Sequence, residues 1–493
     1  MLKKLTAVVT ALACVWLSAC GGNSARNVEM VRLGSLPPVI LAHAVSRDGT
    51  HIAFLSTTTL KTYFVMYDGK LGPQFEAIAD SSLVLSLDGT HVAYAAKKGT
   101  KQFVVVDTTA GPPFDAIETI PVFSADGAKI AYGARQGSRE FIVVNGAPGP
   151  DFDRITGEPA FSPDGSRLAY PARSGAEQFV VLDGARGPVF DEISGPLLFS
   201  PDGKRLAYVG FRRTAEMVVV DGKVGPPFDD VGKNFPIFSS DSRRLAYAAT
   251  RGGLGVAVVD GVLGPMYDAI VAGPLFSPDG KRVAYAARKG RGELIVLDGA
   301  PQAAYDAIVN GPVFSKDGSH VAYGIKKGQN AEFEVLDGVL GPEFAGIAKN
   351  DPVFSPDGSR FGYVAKIGEK RAVVVNGQIG HQFDGIGVGD PVFSPDSKRV
   401  AFTAKEGQKE LVVVDGIMGK LYEQISGTSP AFSPDSRHVA YIAMKSKRQF
   451  MVVDEKKGPD FAAIPGGPVF RPGGSLVYIG MRYSGIYRVT HKP

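Results

Sequence analysis

The chain is poor in the residues that usually carry covalent staples or chemistry. Of 493 residues only two are cysteine, Cys14 and Cys20, and only one is tryptophan, Trp16. All three lie within the first twenty positions, so the remainder has no thiols for a disulfide framework, a thiolate zinc site or a cysteine nucleophile. Histidine is scarce too, at seven. Charge of one sign is lacking: 54 Lys and Arg stand against 50 Asp and Glu, a formal net of +4, which is not the footprint of a nucleic-acid binder. No segment holds a helical hydrophobic period for long. What abounds is glycine (61) and proline (34), at a density that breaks helices every few residues and excludes long helical bundles. Hydrophobic residues still make up 44%, enough for an ample core. Length alone suggests about three domains.

Residues 1–19 read as a secretory signal: Lys3 and Lys4, an apolar stretch too short to span a membrane, then small residues. Leu17-Ser18-Ala19-Cys20 resembles the lipobox of bacterial lipoproteins. That resemblance implies diacylation of the Cys20 thiol, cleavage before it and acylation of the new amine, and two or more acyl chains anchor stably where one does not. Gly21 follows instead of an acidic residue. In Gram-negative lipoproteins this pattern implies the outer membrane.

An internal repeat replaces the three-domain expectation. The segment F-S-P-D-G-x-R-L-A-Y occupies 161–170 and again 199–208, and variants of it run through the chain. Its acidic position falls at Asp48, Asp88, Asp126, Asp164, Asp202, Asp241, Asp279, Asp317, Asp357, Asp396 and Asp435, with Gly473 in a twelfth copy, at intervals of 38 to 40 residues. A second landmark, D-G-x-x-G-P-x-F-D-x-I, recurs inside each unit, as in Asp183-Gly184, Gly187-Pro188, Phe190-Asp191 and Ile193. Each unit reads as four short strands. Over 196–231 these are PLLFS, RLAYVG, EMVVVDG and PFDDV, separated by a Ser-Pro-Asp-Gly turn, a hairpin and a Gly-Pro turn. Four strands per unit of about 40 residues, repeated, signal a β-propeller.

At these residues the chain resembles the WD-repeat-like Pro-Asp repeat of TolB-type propellers, over about 42–493. It departs from relatives of that kind in having no Trp-Asp dipeptide, no preceding α/β domain and no Gly-x-Ser-x-Gly elbow of a fused peptidase, so TolB's partners do not carry over. The expected organisation is a signal at 1–19, a lipidated tether at 20–41, and an all-β array of about twelve four-stranded repeats over 42–493. Residues 28–33 in the tether are a candidate ring-closing strand, because the last unit ends without a fourth strand of its own. Twelve units exceed the usual four to eight blades, which favours two six-bladed rings over one large ring. The spacing is uniform throughout, however, with no linker between the sixth and seventh units.

A residue present in every unit is expected to be structural, which assigns the turn aspartates to turn capping instead of calcium. His51, His91, His320 and His438 share one position with Arg167, Arg205, Arg282 and Arg399, and read as solvated strand starts. His381 differs, replacing the Pro of a Gly-Pro pair. The hairpins between second and third strands are basic in nearly every unit, with an excess of about fifteen positive charges. They nominate Lys97, Lys98, Arg212, Arg213, Arg288, Lys289, Lys326, Lys327, Lys445 and Arg448 as a face for an anionic partner. No catalytic set, metal spacing or cofactor motif stands out, and the hairpins lack the interleaved aromatics of a nucleic-acid binder. The expected function is non-enzymatic: an exported, lipid-anchored envelope protein whose propeller binds or scaffolds a protein. The alternatives are a binder of an anionic glycan or envelope polymer, and a hydrolase or lyase with its site in the propeller channel.

Overall fold

Within each unit the chain runs as an antiparallel meander, and the fifth unit shows why. Leu198 and Phe199 end the first strand (Glu192–Phe199), and the Ser-Pro-Asp-Gly turn delivers the chain into the second (Leu206–Arg212). A tight turn at Arg213 and Thr214 leads to the third strand (Ala215–Val220), and Asp221-Gly222 to the fourth (Lys223–Val224). Asp221 and Gly222 both have positive φ, 51° and 77°, the conformation of the type I′ hairpin that Asp-Gly favours. Val218 and Val219 on the third strand are fully buried, facing the two neighbouring units in turn, as period-two alternation requires.

A computed structural model describes residues 28–493 except 60–61, 233–235, 350–351, 388, 390, 484 and 493. The expected signal at 1–19 and Cys20 lie outside the described residues. Among the described residues the sheets number twelve, each a blade. Blades 1 to 11 follow in chain order from 40–75 to 424–457. Blade 12 joins 469–491 to Val28–Ser35, which pairs antiparallel with Gly485–His491 as its outermost strand.

Two sequence readings are corrected in detail. The Phe-Asp-x-Ile segment is not the fourth strand but the crossover between blades. Phe228 bridges back to Glu216 of blade 5, while Asp230–Val231 pairs with blade 6. The Gly-Pro pair is also no turn where the fourth strand is long: in Lys70–Phe75 it sits at a register shift between Phe64 and Met66, a β-bulge. A Cβ on Gly72 would stand 2.8 Å from the Val65 carbonyl oxygen, so the bulge closes only around glycine.

The crossover explains why the two landmarks travel together. Phe190 at the end of blade 4 meets Tyr208 on the second strand of blade 5 edge to face, with centroids 6.4 Å apart. The same contact is made by Phe75–Tyr94, Phe114–Tyr132, Phe152–Tyr170, Phe228–Tyr247 and Phe461–Tyr478. Each buried Phe contributes roughly 1.5–3 kcal/mol of hydrophobic stabilisation, so the seams carry most of the core.

These seams decide the ring number. Blade 6 packs on blade 7 through Ala257, Tyr267, Tyr285, Ala287 and Leu294. Blade 12 packs on blade 1 through Ile479 and Ile486 against Ile52, Phe54, Phe64 and Met66. In two six-bladed rings, blade 6 would instead close on blade 1 and blade 7 on blade 12. The chain is one twelve-bladed ring, and the expectation of two six-bladed rings is overturned. Blade-number frequencies carry that expectation, whereas seam packing determines the outcome: Tyr267 meets Tyr285 between blades 6 and 7 as Phe228 meets Tyr247 between blades 5 and 6.

Candidate functional site

The ring has two unlike faces. One carries the turns between first and second strands and the hairpins between third and fourth. In each turn a serine and an aspartate lock the backbone: Ser200 Oγ donates to Asp202 Oδ1 at 2.6 Å and accepts from the Arg205 N–H at 3.0 Å, while the Lys204 N–H donates to Asp202 Oδ1. Eleven blades repeat the Ser–Asp bond. The serine hydroxyl, with the backbone N–H, holds Asp164, Asp279 and Asp317 down at about 2.

The position shared by Arg and His is more than the solvated strand start that the sequence suggests. Arg205 donates through Nε to Asp221 of its own blade at 3.1 Å and through Nη1 to the Arg243 carbonyl of blade 6 at 2.9 Å, with its guanidinium 5.1 Å over the Phe238 ring. Arg244, Arg282 and Arg399 repeat all three contacts, one within the blade and two to the following blade, and Arg167 makes both hydrogen bonds. These arginines tie neighbouring blades together. Where histidine stands, the tie to the aspartate persists, as in His320 Nδ1 to Asp337 at 2.6 Å. The period of the repeat conceals this role, because the partner carbonyl lies one unit away.

The opposite face carries the basic hairpins. The structure brings all ten nominated cations to hairpin tips of blades 2, 5, 7, 8 and 11 on this face. It also brings carboxylates the hairpin count omits. In nine blades an acidic residue of the incoming crossover accepts from a hairpin N–H: Glu76 from Gly99, Asp191 from Arg213, Asp268 from Gly290 and Asp306 from Gly328 are examples. The face is therefore far less positive than the tips alone. Arg288 is paired to Glu293 at 2.7 Å, and Arg212 is drawn to the Val189 carbonyl and over the Phe190 ring. Lys97, Lys98, Lys289, Lys327, Lys445 and Arg448 project into solvent.

Two unit-specific features emerge that the repeat pattern passes over. Glu334 lies buried on the third strand of blade 8, where other blades carry residues such as Val218 or Val373, and its Oε1 accepts from Asn310 at 2.7 Å. The charge inside the apolar run FEVL is its sequence signal. His381 lies on the outer strand of blade 9 and lines a cleft of about 580 Å³ with Arg360, Asn376, Lys398 and Arg399. Among the described residues no helix is long and apolar enough to cross a membrane.

No family model matches the chain, and no curated protein matches it. Among the solved structures that match, three distant ones illustrate the range. A eukaryotic initiation factor is 16% identical over 68% of this chain and 96% of its own, with a TM-score of 0.37. TolB from Acinetobacter baumannii is 16% identical over 52% of this chain and 77% of its own, with a TM-score of 0.24. A GH74 enzyme from Niastella koreensis is 12% identical over 92% of this chain and 90% of its own, with a TM-score of 0.28. The assignment of the chain as a twelve-bladed propeller rests on its own sheets and seams.

Proposed function

We propose that the chain is a non-enzymatic lipoprotein of the cell envelope, tethered through Cys20, that scaffolds a protein partner on its ring. The supporting observation is the outer circumference. Large apolar side chains project there from the fourth strands of blades 5, 6, 8, 9 and 10: Val224, Val262, Val339, Ile379 and Ile417, with Val262, Val339 and Ile417 at least 70% exposed. Apolar residues repeated along a rim favour protein contact. The Gly-Pro bulges interrupt the strand edges, so side-chain packing is favoured over strand addition. Crosslinking in native membranes, followed by partner identification, tests the reading. The triple change Val262→Lys, Val339→Lys and Ile417→Lys is expected to lose the partner, and undiminished capture contradicts the rim as the docking surface. Cys20→Ser is expected to release the chain from membranes; retention contradicts the anchor.

The exposed lysines of blades 7 and 8 favour a second reading, contact with an anionic envelope polymer through the hairpin face. Changing Arg288, Lys289, Lys326 and Lys327 to Glu is expected to abolish polymer binding, and unchanged binding rejects it.

A further inference from the structure

The arginine tie is broken in one blade in an instructive way. In five blades the second-strand arginine meets an aspartate at the third hairpin: Arg167–Asp183, Arg205–Asp221, Arg244–Asp260, Arg282–Asp298 and Arg399–Asp415, at 2.8 to 3.1 Å. The aspartate's Oδ2 takes the guanidinium, while its Oδ1 accepts from the N–H of the second strand, as in Leu206 to Asp221 at 2.9 Å. Blade 9 keeps the arginine, Arg360, but has Asn376 in place of the aspartate. Asn376 Oδ1 still accepts from the Phe361 N–H at 2.9 Å. That bond assigns the oxygen and leaves Nδ2 where the other blades have Oδ2. Arg360 keeps its contacts across the seam, donating through Nη1 to the Ser397 and Lys398 carbonyls and covering the Phe393 ring. Its Nε side therefore faces a second donor, and among the described residues it has no carboxylate partner.

This donor pair opens into the cleft between blades 9 and 10. Lys398 and Arg399 approach from blade 10, and Gln378 and His381 from the outer strand of blade 9. His381 stands at the position of Pro73, Pro188, Pro226 and Pro342, where blades 7 and 10 carry Ala303 and Lys420. Asp415, the acidic lining residue, is already paired to Arg399 at 2.9 Å. The cleft thus combines an uncompensated guanidinium, an ammonium, an imidazole and two carboxamides in a volume of about 580 Å³. Blade 3 makes the contrast. Asn145 likewise replaces the aspartate there, but the cation is Lys129, whose ammonium is taken by the Gly165 carbonyl at 2.9 Å.

We infer that the cleft between blades 9 and 10 binds a phosphorylated small molecule of sugar-phosphate size, with its phosphate seated between Arg360 and Asn376. Donors converging from several directions suit a tetrahedral oxyanion, and guanidinium favours phosphate through paired hydrogen bonds. The remaining volume, wider than a phosphate, takes the polar body of the ligand beside Gln378 and His381. The site is on the face opposite the basic hairpins and does not depend on the scaffold reading.

The test uses the full chain with three probes: inorganic phosphate, glucose 6-phosphate and glucose. Calorimetry is expected to show binding of the sugar phosphate, weaker binding of inorganic phosphate and none of glucose. Asn376→Asp restores the carboxylate that five blades already accommodate, so it should fold like the native chain, with an unchanged melting profile. It is expected to weaken sugar-phosphate binding at least about tenfold, as is Arg360→Gln. Equal binding of phosphate and sugar phosphate would assign the site to the free ion and remove the sugar-phosphate claim. Undiminished binding in a folded Asn376→Asp variant, or no binding of either phosphate probe at millimolar concentration, would overturn the proposal.

Discussion

Blade 5 and blade 12 perform the same task with different parts. Blade 5 is contiguous, with a Ser200–Asp202 turn and Arg205 reaching the Arg243 carbonyl of the next blade. Blade 12 draws its strands from both ends of the chain, and Arg471-Pro472-Gly473-Gly474 offers neither the serine nor the aspartate. Ser475 stands where blade 5 has Arg205. Yet the seam is tied in kind: Arg488, from the third strand, donates to the Thr50 carbonyl of blade 1 at 2.8 Å and lies 3.4 Å from Asp68. Thr50 occupies the place in blade 1 that Arg243 holds in blade 6. Arg471 adds a contact to Asp48 at 3.5 Å. At the closing seam a guanidinium again reaches the neighbouring turn, here supplied by the third strand.

The comparison can be broken in graded steps. Removing residues 28–35 takes the outer strand from blade 12 together with Val28, Met30 and Leu33, which pack on the seams with blades 11 and 1. It should lower stability most, read as a large drop in the urea midpoint, and an unchanged midpoint would mean that the closing strand contributes nothing. Next come the seam aromatics. Phe228→Ala and Phe461→Ala should each cost about 3–5 kcal/mol in chemical denaturation, since both rings are buried against a tyrosine. Equal costs would put the seam between blades 11 and 12 on a par with the one between blades 5 and 6.

A smaller effect follows from acid. Asp164, Asp279 and Asp317 sit near 2 in the fold against 3.8 for a free side chain, so their turns stabilise fully above about pH 4. That contribution is lost as pH falls through about 2. Stability measured between pH 5 and 2 should decline, and Asp164→Asn should be less stable at neutral pH but flatter over that window. Blade 12 lacks such a turn, so changing Ser475 to Ala should leave the acid profile untouched. Least of all, Arg471→Ala should cost about 0–1 kcal/mol, because its contact to Asp48 is exposed.

Much of this architecture was legible from residue pattern. The Ser-Pro-Asp-Gly turns, the four-strand unit and the twelvefold count follow from the even spacing of Asp48 through Asp435 and on to Gly473, and from Asp-Gly hairpin chemistry. What escaped are contacts that join one unit to the next. Phe228 looks like the end of a strand until Tyr247 is seen against it, and Arg205 looks solvated until its partner carbonyl appears 38 residues on. Ring number belongs to the same class, because the seam between blades 6 and 7, with Tyr267 against Tyr285, is of the same kind as the Phe–Tyr seams elsewhere. The nominated cations were legible as a shared face, but the carboxylates that offset them sit in the crossovers, outside the hairpins. Arg360 was invisible for the opposite reason: it matches the repeat, and only its partner Asn376 departs from it.

The single closed ring is tested most directly by a distance. Spin labels at Leu71 of blade 1 and Val262 of blade 6 both sit on exposed outer strands. A chain with cysteines only at 14 and 20 leaves few competing sites for attaching them. A twelve-bladed ring places these labels five blades apart, so pulsed electron spin resonance should give a much longer distance than for labels at Leu71 and Val31, which flank the closing seam. A 71–262 distance equal to that of neighbouring blades would mean that blade 6 closes on blade 1, and would contradict the single ring.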